Sequence, residues 1–162
     1  MESWEQRLKE EFSNSTKSVI LGIGNDLKAD DGVGPHIIAQ LENQAPVQID
    51  LINVGTVPEN FISLLIEKQP EFILLLDAAL MQAEPGTIRL IDKDNIGGIA
   101  FSSHQLPLTF FIEYLESNIA TTILVLGIQP LTDDFAQPIS EPVQTAANQI
   151  INTLTQIFRE TI

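Results

Sequence analysis

Along the whole chain, apolar runs alternate with segments of helical period, and this alternation restricts the fold more than any other feature. SVILGI (18–23), VQIDLINV (47–54), FILLLDA (72–78) and TTILVLGI (121–128) read as strands, and EPGTIRLID (84–92) as a turn followed by a strand. Between them, Val33, Ile37 and Leu41 recur at helical spacing, with Pro35 acceptable in a first helical turn. PENFISLLIEKQ (58–69) and PLTFFIEYLESN (107–118) read as two further helices. Val143, Ala147, Ile150, Leu154 and Ile157 mark a last one. Strands alternating with helices predict a three-layer α/β/α sandwich around a mostly parallel sheet. The first, third and fifth strands are apolar throughout and belong at its centre. In such sheets ligands sit beyond the carboxyl ends of the strands, which directs attention to the loops after residues 23, 76 and 127.

Residues 1–17, MESWEQRLKEEFSNSTK, are charged and helical in pattern and form an N-terminal extension to a single domain spanning 18–162. They carry no apolar core of a signal peptide, and the longest apolar runs fall far short of a membrane span. A cytoplasmic protein with no membrane insertion is the expectation. The 162 residues carry a formal charge of −14, which argues against a nucleic-acid partner, because phosphate binding needs clustered Lys and Arg. The chain has no cysteine, so disulfides, thiolate metal sites and a cysteine nucleophile are excluded.

The first loop, NDLKADDGVG (25–34), concentrates three aspartates, Asp26, Asp30 and Asp31, in one turn. A dinucleotide fingerprint fails there, because Leu27 stands at the third glycine position and the aspartates would repel a pyrophosphate. A calcium loop of the EF-hand type also fails, since counting from Asp26 puts Lys28 at position three and Asp31 at position six. Asp30 or Asp31 as a simple helix cap accounts for one aspartate well and for two with more difficulty. Asp77 ends an apolar strand at the second of those loops, and His104 lies in a separate polar turn before a helix. The second histidine, His36, follows Pro35 inside a helix and reads as a helix-surface residue. A carboxylate of the acidic turn, Asp77 and His104 would together make a three-ligand metal site with open positions, the pattern of a catalytic rather than a structural centre.

These motifs resemble a known family. GIGNDLKADDGVGP (22–35), LLLDA (74–78), PGTIRLID (85–92), SSHQLPL (102–108) and LGIQP (126–130) are similar, in order and spacing, to those of the endopeptidases that mature the large subunit of [NiFe]-hydrogenases. VGTVPEN (54–60) and LGIQP resemble the branch serving formate-hydrogenlyase-type hydrogenase. The resemblance implies a phosphorylase/hydrolase-like sandwich with a five-stranded mixed sheet. Its strand order would be second, first, third, fifth, fourth, with the fourth antiparallel. It implies a metal-binding and catalytic triad of Asp31, Asp77 and His104. The implied activity is that of a hydrolase, of aspartic or metal-dependent type, which removes a short C-terminal extension from the hydrogenase large-subunit precursor after nickel insertion. Nickel would be supplied by that precursor, and other divalent metals fit the same ligands. Gly24 and Asn25 let the first loop turn tightly at the site and, with Gly55, Thr56, Asn60 and Gln129, are expected to contact the substrate. A non-catalytic chaperone sensing nickel in the precursor would need the same triad.

Overall fold

The structure, a computed structural model, describes residues 2–101 and 107–161. Its sheet contains β1 (Ser18–Ile23), β2 (Ile49–Gly55), β3 (Phe72–Leu80), β4 (Ile88–Ile91), β5 (Ala100–Phe101) and β6 (Thr122–Ile128). The helices are α1 (Trp4–Ser13), α2 (Val33–Leu41), α3 (Ile62–Lys68), α4 (Leu108–Asn118) and α5 (Glu141–Thr161). The main path of the sheet runs β2-β1-β3-β6-β4. All its pairings are parallel except that of β4 with β6. This is the expected order.

The expected count of five strands is corrected to six. β3 continues past Asp77 to Leu80, and its last residues pair antiparallel with β5 through Ala79↔Phe101 and Leu80↔Ala100. A two-residue strand offers no alternation to read. Two other boundaries also shift. The second strand begins at Ile49, with Val47 left almost fully exposed. The segment opening at Pro58 is a 3-10 turn, Pro58–Phe61, before it becomes α3.

Alternate residues of the central strands feed two cores. Ile20, Leu74 and Leu76 face α1, α2 and α5, while Val19, Leu21, Ile73 and Leu75 face α3 and α4. The result is three layers, with a continuous apolar centre on both sides of the sheet. The N-terminal segment is part of this packing. α1 buries Leu8 and Phe12, and the Phe12 ring meets Phe72 edge-on at 4.9 Å between centroids. Among the described residues, no helix is long and apolar enough to cross a membrane.

α2 approaches the sheet more closely than side chains normally permit. A Cβ on Gly22 would lie 2.6 Å from the Gly34 carbonyl oxygen, and one on Gly34 would lie 2.5 Å from those of Ile23 and Leu76. This glycine-on-glycine contact brings the start of α2, and the acidic turn before it, against the carboxyl ends of β1 and β3.

Candidate functional site

The acidic turn is a 3-10 turn, Ala29–Gly32, between β1 and α2. Gly24 turns the chain out of β1 at φ +146, its N–H donates to the Gly55 carbonyl at 2.8 Å, and a Cβ there would strike the Asp31 carbonyl. The Asn25 side chain accepts the Leu27 N–H at 2.9 Å, closing a side-chain turn. The Asn25 N–H in turn donates to Asp31 Oδ2 at 3.1 Å. Gly24 and Asn25 thus shape the loop and orient the Asp31 carboxylate. Ala29 is held at φ 47, in the left-handed region, which costs a non-glycine residue about 1–2 kcal/mol.

The two adjacent aspartates have separate tasks. Asp30 is fully buried. Its carboxylate accepts from Leu131 N at 2.8 Å, Thr132 N at 3.1 Å, Ser140 N at 2.7 Å and Ser140 Oγ at 2.8 Å. Its own N–H donates to the Thr132 carbonyl at 3.2 Å. Asp30 therefore fastens the first loop to the segment after β6 and to the start of α5. The cap reading of the sequence did not anticipate this role. Asp31 keeps a sliver of exposure and lines an open cleft of about 320 Å³.

The cleft is walled by Ala78–Leu80 of β3, by β5, by Lys28 and by Pro130–Asp133. Asp77, fully buried, immediately precedes this wall, and by strand alternation it shares the α3/α4 face with Leu75 and Ala79. Asp31 approaches the same sheet edge from the head of α2. Gly22 pairs with Leu76, so the two carboxylates belong to neighbouring strand ends. Lys28 lines the cleft as well, and its Nζ stands 3.9 Å from Asp133 Oδ2, a loose pair between solvent-accessible groups.

The remaining expected residues occupy varied positions. His104 lies outside the described residues. Gly55, at φ +58 with open space around it, receives the Gly24 N–H, and Thr56 and Asn60 follow on the β2–α3 turn, with Asn60 exposed. Gln129 is buried, and its Oε1 accepts from Met81 N at 2.7 Å and Ala83 N at 3.4 Å. Its amide thus braces the β3–β4 turn, and the cleft wall begins with the next residue, Pro130. His36 is half-buried on α2, with its Nε2 3.3 Å from Gln144 Nε2 of α5, and burial pushes its imidazole below the usual histidine range. Among the described residues, no group of three or more His, Asp or Glu is placed to hold a metal ion. The two carboxylates at the strand ends form the described part of the expected ligand set.

Comparison with known proteins converges on one description. A family model for hydrogenase maturation protease matches residues 35–157. The chain is 40% identical to a provisionally named hydrogenase maturation protease of Methanocaldococcus jannaschii, over 96% of each chain. It is 34% identical to the hydrogenase 3 maturation protease of Escherichia coli K12, over 84% of this chain and 87% of that one. Among solved structures, the [NiFe] hydrogenase maturation protease HycI from Thermococcus kodakarensis aligns with a TM-score of 0.86 at 27% identity, over 94% of this chain and 99% of that one.

Proposed function

The chain belongs to the hydrogenase maturation protease family, and from that premise we propose that it removes a short C-terminal extension from a [NiFe]-hydrogenase large-subunit precursor once nickel has been inserted. The observation that carries this reading is the placement of Asp31 and Asp77, two carboxylates almost or fully removed from solvent, at neighbouring strand ends beside an open cleft. Carboxylate oxygens converging on one sheet edge are suited to hold a divalent cation. A nickel ion already held by the precursor is such a cation, and His104, which precedes α4 in the sequence, would complete a three-ligand grip on it. The precursor's metal then acts as a checkpoint, since an unloaded precursor offers nothing for the carboxylates to hold.

Within that complex the chemistry is hydrolysis of one peptide bond. A carboxylate of the pair takes a proton from water as the oxygen attacks the scissile carbonyl carbon. The C–N bond then breaks and the leaving amine is protonated. Asp31 suits the base role because it lines the cleft while the Asn25 N–H fixes its orientation. This makes the enzyme aspartic in type, with the substrate's nickel positioning the bond. Other divalent ions of similar preference would fit the same oxygen and imidazole donors.

The test is cleavage of a nickel-loaded precursor by wild-type protein and by the Asp31→Asn and His104→Ala variants. Asp31→Asn should lower the rate roughly 10²–10⁴-fold, the range for removing a general acid–base group, and His104→Ala should lower it by weakening the grip on nickel, while circular dichroism stays unchanged in both. Full activity in either variant would refute its place in the triad. A precursor that is bound and never shortened would identify a nickel-sensing chaperone instead.

A further inference from the structure

Four of the nine exposed large apolar side chains among the described residues belong to segments that wall or adjoin the cleft that holds Asp31: Leu27 (58% exposed), Leu80 (55%), Leu131 (59%) and Phe135 (69%). Leu80 and Leu131 form part of its wall, and Leu27 adjoins Lys28, which also lines it. The Ala136 N–H donates to the Leu27 carbonyl at 2.7 Å, which ties the Phe135 segment to the first loop. These side chains come from three separate segments of the chain, so their grouping is not a local accident of sequence.

Nor are they loose. Leu131 and Thr132 are anchored through their backbone N–H groups to the buried Asp30 carboxylate. An apolar surface fixed in place by a buried polar clamp loses little freedom when a partner covers it, and clustered exposed apolar side chains mark contact surfaces. Asp26, Asp133 and Asp134 are exposed beside them and outnumber Lys28, which faces Asp133 at 3.9 Å, so the rim of the patch is acidic on balance.

We propose that Leu27, Leu80, Leu131 and Phe135 form a docking collar for the folded body of the precursor. The proposal rests on the protease reading above. The surface that fits is an apolar patch rimmed by basic side chains, next to the point where the extension leaves the precursor. Charge complementarity selects the basic rim, and continuity with the cleft selects the precursor as occupant. Recognition is then of the precursor's surface as well as of its tail and metal.

The experiment compares wild-type protein, the Leu131→Ser/Phe135→Ser double variant, and Val47→Ser, which changes an exposed residue before β2 at the opposite edge of the sheet. Affinity for nickel-loaded precursor is measured by titration in an Asp31→Asn background, and KM and kcat in the active forms. The double variant should raise Kd and KM at least tenfold with kcat within twofold, and Val47→Ser should change neither. Added salt should weaken wild-type binding, because the acidic rim is screened. Asp30 holds the loop through backbone groups, so the serine variants should keep the wild-type thermal midpoint. Kd within twofold of wild type in the double variant, an equal loss in Val47→Ser, a fall in kcat with KM unchanged, or no wild-type binding at all would each overturn the collar. Wild-type protein that binds the precursor without cutting it would refute the protease reading, and the Kd comparison would still decide the collar.

Discussion

Replacing Asp30 and replacing Asp31 should produce opposite phenotypes, although the two are adjacent and chemically identical. Asp30→Ala removes a buried carboxylate and leaves the half-buried donors of Leu131, Thr132 and Ser140 without that acceptor. The expected loss is on the order of 3 kcal/mol, read as a lower urea midpoint. Asp31→Asn should leave that midpoint within about 1 kcal/mol of wild type, since its carboxylate borders the cleft rather than the core. The sequence shows three aspartates in one turn and the dipole that favours them. It does not show which way each points. The partners of Asp30 lie 101 to 110 positions further on, beyond any local pattern. The turn at Gly24 and Asn25 was easier to foresee, because a Gly-Asn pair at a strand end already signals one, whereas the bond from the Asn25 N–H to Asp31 was not. Gln129 illustrates the opposite limit. Its place at the strand edge was legible, while the turn of its amide toward Met81 depends on a loop 48 residues earlier.

At the scale of elements, the strands that run apolar throughout were legible because burial on both faces leaves no other composition open to them. β5 was not, since two residues carry no period and its existence depends on β3 running on to Leu80. The glycine contact between α2 and the sheet gives this scale its sharpest prediction. Gly34→Ala places a methyl group 2.5 Å from two backbone oxygens that cannot move independently. It should cost about 3 kcal/mol and reduce cleavage by displacing the acidic turn. Gly98→Ala meets nothing within 4 Å and should stay within about 0.5 kcal/mol of wild type in the same urea titration. α1 is tested by Phe12→Ala, which removes a buried ring packed on Phe72. The expected loss is about 3–5 kcal/mol, whereas an α1 without a structural role would lose nothing.

At the scale of the molecule, the formal charge of −14 favours association with positively charged surfaces, which is consistent with the proposed docking of the precursor. The layers and the central strands were legible from the apolar runs themselves, whereas the strand order was implied only by the family resemblance. Of the candidate site, Asp31 and Asp77 were legible as carboxylates at strand ends, while the bonds that shape the first loop were not, because they join segments distant in sequence. The central claim is that the precursor's nickel licenses the cut. The most direct measurement is mass spectrometry of the precursor, nickel-loaded and nickel-free, after incubation with this protein. The account predicts loss of one C-terminal peptide from the loaded form alone. Equal shortening of both forms, or shortening of neither, would contradict it.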